Sequence, residues 1–224
     1  MQKTMENKPP RKPREVFIDT YYLLIPLISI NMYWFLLTLP LVTAPAALMA
    51  LFASTNQMVK GDSVGWGEFW EAFRSYFWTG WRWILIDGLV LGVLFLNVWF
   101  YHTQVNTNWA FLVEGLMIGF TVIWTIVQCY VPAVLTLQEK KSIRIALRNT
   151  AGLIAFRPLV MAPTAVAILV LCAVCALYLP PVWIFITGSL AAYFLSKATK
   201  YTVQRLLEKQ KQENPPENLT PPAG

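Results

Sequence analysis

Residues 83–101 read WILIDGLVLGVLFLNVWFY, and this stretch decides the fold. It carries one charged residue, Asp87, and is otherwise made of apolar and aromatic side chains with two glycines and one asparagine. A helix rises about 1.5 Å per residue, so this stretch is about 28 Å long, close to the thickness of about 30 Å of a bilayer's hydrocarbon core. The stretch therefore predicts a helix that spans a membrane.

The rest of the chain has the same character. Hydrophobic residues make up 56% of the 224 residues and charged residues only 13%, against about 25% in an ordinary soluble domain. This composition excludes a disordered chain, a collagen-like fibre and a disulfide-stapled secreted domain, and it argues against a soluble enzyme. It predicts an all-α, polytopic membrane helix bundle with six transmembrane helices at residues 18–39, 42–58, 83–101, 110–135, 159–178 and 182–199.

The basic residues indicate how the chain is oriented. All 18 lysines and arginines fall into four groups, and each gap between groups is long enough for two spans of about 20 residues. The helices therefore pair into three hairpins with every basic group on one side, which the positive-inside rule identifies as the cytoplasm. We predict an integral membrane protein with both termini in the cytoplasm. The groups occupy residues 3–14, 60–82, 140–157 and 197–211.

One predicted span is weaker than the others. Residues 42–58 end in four polar residues, at positions 54–57, so this segment either crosses the bilayer or forms a re-entrant loop. If it were a re-entrant loop, the first basic group would lie on the other side of the membrane from the second. The charge pattern favours a full crossing.

The pattern divides the chain into four segments. Residues 1–15 are predicted to be a disordered, basic cytoplasmic tail, and residues 16–200 the transmembrane bundle. Residues 201–213 extend the last helix into the cytoplasm. The Pro-rich residues 214–224 form a second disordered tail, because proline interrupts helices.

Two cytoplasmic segments are predicted to be amphipathic helices lying on the membrane surface. In residues 66–83, aromatic side chains recur every three or four positions, and tryptophan favours the headgroup layer. In residues 140–156, Ile143, Ala146 and Leu147 share a face, with basic residues largely opposite. For residues 66–83, simple continuation into the next span is the alternative.

Two acidic residues lie within predicted spans, where acids are often functional. Asp87 lies about one turn inside the cytoplasmic end of its span, and Arg82 is its expected partner. Glu114 lies about one turn inside the outer end of the next span, near His102 across the short segment 102–109. The two acids are therefore too far apart to form a paired-carboxylate site.

A polar stripe follows the fourth span, and its members fall within about 60° of one another at about 100° per residue. Polar groups facing lipid are unfavourable, so the stripe should face the bundle interior, where it lines a hydrated path or bonds neighbouring helices. Asn31 and Thr38 of the first span are the predicted partners. The members of the stripe are Glu114, Thr121, Thr125 and Gln128.

Two glycine pairs have the spacing of close helix packing. A Gly-x-x-x-Gly motif lets two backbones approach at short range, within one chain or in a dimer. The motif predicts tight packing and no chemistry. The four glycines are Gly88 and Gly92 on the third span and Gly115 and Gly119 on the fourth.

Motifs for catalysis and cofactor binding are absent from the sequence. There is no Walker loop, nucleophile elbow, zinc-protease motif or dinucleotide fingerprint. One histidine cannot build a multi-His metal site, and Cys172-x-x-Cys175 has no second pair. We predict no catalytic residues, no cofactor and no metal. We also predict no nucleic-acid partner, because the basic residues flank apolar runs.

The segment from Asn31 to Ala47 resembles the start of the YesL-like family of bacterial integral membrane proteins of unknown function. The shared features are an Asn and a Trp in the first span, a Leu-Pro-x-x-Thr sequence and a Pro-Ala pair. The later segments 132–133 and 147–149 resemble the family's second half. The turn residues that carry the resemblance are Pro40, Thr43 and Pro45.

Two hypotheses about function follow. Some similar family members occur beside sugar-uptake components, which implies at most an accessory role in carbohydrate uptake. The first hypothesis is therefore a non-catalytic membrane protein that acts by contact, with the lipid bilayer, other membrane proteins or a second copy as its partners. The alternative is a small transporter or channel with a polar path along the fourth span.

Overall fold

The computed structural model describes residues 13–213 apart from residues 106 and 108, and it describes side chains from residue 21 onward with the exception of residue 22. The predicted tail at 214–224 and most of the tail at 1–15 lie outside the described residues. Residues 13–15 already belong to the first helix. Across the described ranges the regular structure is entirely helical, which confirms the all-α prediction.

Seven helices make up the described part of the chain. The last of them contains one π-helical segment, Trp183–Thr187, near its start. The helices are α1 (Pro13–Thr38), α2 (Ala44–Lys60), α3 (Trp66–Gln104), α4 (Ala110–Leu135), α5 (Ile143–Phe156), α6 (Pro158–Tyr178) and α7 (Pro180–Glu213).

Four of these helices, α3, α4, α6 and α7, are long and apolar enough to cross a bilayer. Four such helices indicate a membrane protein. The first helix adds a shorter apolar segment, Leu23–Thr38. The second helix has 17 residues, so it is about 25 Å long, a little less than a hydrocarbon core of about 30 Å. The structure thus provides four candidate spans where the sequence predicted six.

The short helix α2 lies at the centre of the bundle, in contact with α1, α3, α4 and α7. Most of its residues between Pro45 and Asn56 are buried, and its many alanines allow the neighbouring helices to come close. Its polar end faces protein, since Thr55 Oγ1 lies 3.3 Å from Ser196 Oγ of α7. The helix ends at Gly61, whose φ of 103° lies in the left-handed region that commonly terminates helices.

Residues 66–83 do not form a separate surface helix. They are the first half of α3, which continues without a break to Gln104 and is about 58 Å long. Some of their aromatic rings pack inward: Phe69 and Phe73 are buried, and Tyr33 of α1 lies edge-on to Phe69 with ring centres 5.7 Å apart. Trp66 and Trp78 are exposed. The structure therefore favours the alternative of a continuous helix, and the position of its first half at a membrane surface stays a prediction.

Most of the second predicted surface segment, residues 140–156, forms α5. Its buried residues are Ala146, Thr150 and Leu153, so the helix packs against the bundle through one face. Arg148 is exposed on the same helix. The helix is therefore two-sided, as the sequence pattern indicates, and its position at a membrane surface stays a prediction.

The second half of α3 and the first part of α4 form an exposed hairpin. Trp83 is the last buried residue of α3, and α4 has no buried residue between Ala110 and Gln128. The outward faces of this hairpin carry large apolar side chains such as Leu89 and Phe95. An apolar surface of this kind suits lipid or another protein rather than water.

Candidate functional site at the contacts between helices

Two indole hydrogen bonds join α3 to α4. Trp83 Nε1 donates to Gln128 Oε1 at 2.9 Å, and Trp124 Nε1 donates to Asp87 Oδ1 at 2.8 Å. Each helix supplies one donor and one acceptor, and the two bonds lie one helical turn apart. Because an indole carries a single polar N–H, it can bond an acceptor inside an apolar contact without leaving another donor unpaired.

The two acids in the predicted spans have different partners. Asp87 and Arg82, the expected pair, form no ion pair among the described residues. The carboxylate of Asp87 accepts the indole N–H of Trp124. Glu114 has the expected neighbour: its Oε1 lies 3.1 Å from His102 Nδ1. The acids therefore sit in two separate contacts, at opposite ends of the exposed hairpin.

The polar stripe of α4 is bonded within the protein. The hydroxyls of Thr121 and Thr125 each donate to the carbonyl four residues earlier in the same helix, at 2.9 and 2.8 Å. Gln128 accepts from an indole, and Glu114 pairs with a histidine. Every member of the stripe thus has a partner inside the described part of the chain, but only Gln128 and Glu114 reach another helix, as packing contacts do.

Valine at Thr121 or Thr125 is expected to change the free energy of unfolding by less than about 0.5 kcal/mol, because each hydroxyl bonds only its own helix. Leucine at Gln128 is expected to cost about 1–3 kcal/mol, since it leaves the buried indole N–H of Trp83 without an acceptor. Thermal unfolding of the detergent-solubilised protein measures all three. Equal losses at the three positions would contradict this ranking.

Asn31 joins α1 to α7, not to the stripe on α4. Its side chain is fully buried, with Nδ2 donating to Ile184 O at 2.6 Å and Oδ1 accepting from the backbone N–H of Ser189 at 2.7 Å. These partners lie in and just after the π-helical segment Trp183–Thr187, where the regular hydrogen-bond ladder of the helix changes register. The predicted pairing of Asn31 with α4 is therefore wrong, because α7 covers this face of α1.

Close approach between helices occurs at two glycines that the sequence pattern missed. A Cβ added to Gly80 of α3 would lie 2.7 Å from Pro45 O of α2, and one added to Gly188 of α7 would lie 2.8 Å from Trp34 Cζ3 of α1. A real Cβ does not fit at either distance without movement of the neighbouring helix.

The glycines predicted for close approach play no such part within one chain. A Cβ added to any of them meets no atom within 4 Å, so none packs against another helix here. Their role in packing against another molecule stays a prediction. They are Gly88, Gly92, Gly115 and Gly119.

The turn between α1 and α2 contains the residues of the family-like motif. The hydroxyls of Thr38 and Thr43 each donate to a carbonyl near the end of α1, where carbonyls lack regular helical partners. Leu41 adopts a φ of 56°, in the left-handed region that is unfavourable for non-glycine residues. Pro40 lacks the N–H that would continue α1, and Pro45 lies in the first turn of α2, where proline is tolerated.

Three further polar contacts tie helices together and were not anticipated from the sequence. Asn56 of α2 donates to the end of α4, at Ala133 O. The Tyr130 hydroxyl of α4 donates to α6 at 2.7 Å, and Lys200 Nζ of α7 donates to the end of α2 at 2.8 Å. The only available signal was a polar residue in an apolar stretch, and that signal does not identify a partner.

Metal chemistry finds no support in the described residues. No three His, Cys, Asp or Glu side chains cluster there as a metal site would require, and the three cysteines are free. The candidate site is therefore a set of helix contacts and an uncovered hairpin.

Comparison with known proteins concerns the first half of this architecture, from α1 into α3. Residues 27–98 match a family model described as "Protein of unknown function, DUF624". The match covers about a third of the chain and includes both the α1–α2 turn and the contact at Gly80. No curated protein and no solved structure matches the chain. The family description assigns no activity.

Proposed function

We propose that this chain is a non-catalytic integral membrane protein that acts by direct contact with another membrane protein or with a second copy of itself. The observation that carries the proposal is the α3–α4 hairpin, whose polar side chains are bonded within the protein while its apolar faces stay uncovered. Polar groups that are already bonded offer a solute little to bind. The outward faces, by contrast, are free to bind another helix.

The exposed glycines supply the place where a partner helix would bind. Gly88 and Gly92 lie one turn apart on α3, as do Gly115 and Gly119 on α4, and all four are exposed with open space beside them. In lipid, helices associate through close packing and not through the hydrophobic effect, and small residues make close packing accessible. These glycine faces therefore leave room for a partner helix to pack closely against the hairpin.

A role beside a carbohydrate uptake system is the finer form of this proposal. Its support is the YesL-like resemblance of residues 31–47, and no contact within the bundle adds to that support. The matched family of unknown function is compatible with it but names no substrate. A protein partner is therefore the first thing to test, and a sugar the second.

Photo-crosslinking in native membranes tests the proposal. A photoreactive residue replaces Leu89 or Leu116, which are exposed beside the glycines, and we expect a discrete protein adduct. Leucine at Gly88 and Gly115 should reduce the adduct about five-fold, equivalent to about 1 kcal/mol, by filling the space the partner helix needs. The matched control is Gly67→Leu, at an exposed glycine with no atom within 4 Å, which should leave the adduct unchanged.

Two results would overturn the proposal. Adducts with lipid alone, or adducts that the glycine variants leave intact, would mean that the hairpin faces only the bilayer. Solute flux through liposomes containing the purified protein, abolished by Glu114→Gln, would support a transporter instead. Asp87→Asn keeps an oxygen acceptor for Trp124, so it should leave both the fold and the adduct unaffected.

We further propose that α3, α4, α6 and α7 cross the inner membrane with both termini in the cytoplasm, as the basic groups indicate. The two remaining predicted spans, 18–39 and 42–58, meet a physical conflict. Trp81 Nε1 donates to Val42 O at 3.0 Å, so the α1–α2 turn lies beside Arg82. Six spans with the predicted boundaries would put that turn and Arg82 on opposite sides of a core about 30 Å thick.

Labelling with a membrane-impermeant maleimide distinguishes the two arrangements. In a background lacking the native cysteines, we expect Leu41→Cys and Arg82→Cys to react from the same side of the membrane. The neighbouring residues Val42 and Trp81 are hydrogen-bonded to each other. Asp62→Cys, in the exposed loop between α2 and α3, serves as the cytoplasmic reference. Reaction of Leu41→Cys from outside intact cells, with Arg82→Cys protected, would restore six spans.

A further inference from the structure

A half-open cavity of about 730 Å³ lies between the end of α4, one face of α5 and the later turns of α7. Its volume falls within the range of about 300–1,000 Å³ that is typical of small-molecule sites. The polar stripe and the exposed hairpin take no part in it. Its apolar walls are formed by Val134, Leu137, Leu153, Phe156, Val203 and Leu206.

Among the described residues, Arg148 is the one charged side chain that lines this cavity. Arg148 borders the cavity and forms no ion pair among the described residues. Lys209 Nζ lies 5.8 Å from the ring centre of Phe156, one of the walls, and has Glu213 as a solvent-exposed partner at 3.6 Å. In the part of the chain that the structure describes, no Asp or Glu lines the cavity itself. An apolar pocket with cations at its edge complements an amphiphile with an acidic head.

We propose that this cavity binds one anionic phospholipid, with an acyl chain against the apolar walls and the phosphodiester beside Arg148 and Lys209. Two of its three walls come from the ends of candidate membrane spans, the end of α4 and the later turns of α7, where the headgroup layer of a bilayer would lie. A protein helix fits poorly, because a helix about 10–12 Å in diameter fills about 400–600 Å³ per turn, and the cavity would hold less than two turns.

Gly152 makes the proposal testable without unfolding the protein. It lines the cavity, and a Cβ added there meets no atom within 4 Å, so a larger side chain enters the empty space and not a neighbouring helix. Leucine at Gly152 therefore blocks the cavity. Arg148→Gln removes the cation while leaving the walls intact. The matched controls are Gly67→Leu, at another open glycine, and Arg144→Gln, at an exposed arginine of α5 that does not line the cavity.

Native mass spectrometry of the delipidated full-length chain, titrated with phosphatidylglycerol or phosphatidylcholine, measures binding. We expect at least about a ten-fold preference for phosphatidylglycerol, a loss of about five- to ten-fold in Arg148→Gln and no one-to-one adduct in Gly152→Leu. The controls should bind like the original protein. Equal binding of the two lipids, an unaffected Gly152→Leu, or full competition by inorganic phosphate or by a fatty acid would overturn the proposal. Lipid binding does not depend on the proposed protein contact, so either can fail alone.

Discussion

Alanine at Gly80 is expected to lower the free energy of unfolding by about 2–3 kcal/mol, at the upper end of the usual cost of overpacking. The added Cβ would lie 2.7 Å from Pro45 O and 2.8 Å from Pro45 C, which are backbone atoms at the start of α2. Backbone atoms cannot rotate away as the end of a side chain can. The first half of α3 would have to separate from the central helix of the bundle, and the thermal midpoint in detergent should fall by about 5–10 °C.

Gly88→Ala is the matched control, because it makes the same change in the same helix two turns further on. A Cβ there meets nothing within 4 Å. Alanine favours the helix over glycine by about 1 kcal/mol, so this variant should be neutral or slightly stabilising. A result in which Gly80→Ala and Gly88→Ala behave alike would show that α2 and α3 do not touch at Pro45.

The comparison of these two glycines shows what a sequence pattern can predict about packing. Gly88 belongs to a Gly-x-x-x-Gly motif, and Gly80 belongs to none. The motif describes one helix surface and carries no information about which surface another helix covers. The contact at Gly80 depends on Pro45 at the start of α2, which is distant in sequence. Only the tertiary fold brings the two residues together. Local spacing therefore identified the exposed glycines and missed the buried one.

The helical class of the fold was predictable because it depends on composition and local hydropathy. Residues 83–101 and 110–135 are apolar enough to require helices in a membrane, and α3 and α4 contain them. The helix ends were harder to predict. The aromatic spacing of residues 66–83 is typical of a surface helix, but the same spacing fits a helix that buries Phe69 and Phe73 in a protein core. Periodicity shows that one face is apolar and does not show what covers it.

The candidate site shows the same limit for polar residues. Asp87, Asn31 and Gln128 were identified because a polar group in an apolar stretch must find a partner. Their partners were not predictable, since Arg82 was nearer in sequence to Asp87 than Trp124 is. In a helical bundle a side chain reaches its own turn or a different helix, and only tertiary structure decides between them. The indole of Trp124 lies across the α3–α4 contact, and that proximity exists only once the hairpin has formed.

The contacts between helices leave the surface of the α3–α4 hairpin uncovered, and this surface bears on function. Several polar groups of the central helix and its neighbours bond across helices, while the α3–α4 hairpin keeps large apolar side chains and four open glycines on its surface. A stable bundle with an uncovered apolar projection can dock another membrane helix without rearranging its own core. The proposed contact function therefore requires a rigid bundle, and variants that loosen the bundle should weaken partner binding indirectly.

The second large effect is expected at Asn31. Leucine there should cost about 2–4 kcal/mol, because it removes the donor to Ile184 O and the acceptor for the buried Ser189 N–H, and it places an apolar side chain against both backbone groups. The thermal midpoint in detergent should fall by about 5–15 °C. Asn97→Leu is the matched control, since the Asn97 amide donates only to a carbonyl of its own helix, and it should change the free energy of unfolding by less than about 0.5 kcal/mol.

A double-mutant cycle separates the bond itself from general disturbance of the contact. A Cβ added to Gly188 would lie 2.8 Å from Trp34 Cζ3 and 3.0 Å from Asn31 Oδ1, so Gly188→Ala perturbs the same junction of α1 and α7. Once Asn31 is leucine, the hydrogen bonds that Gly188→Ala would displace are already absent. The combined loss should therefore be smaller than the sum of the single losses by about 1 kcal/mol or more. Strictly additive losses would mean that Asn31 and Gly188 act on separate contacts. That result would contradict the packing of α1 against the π-helical segment.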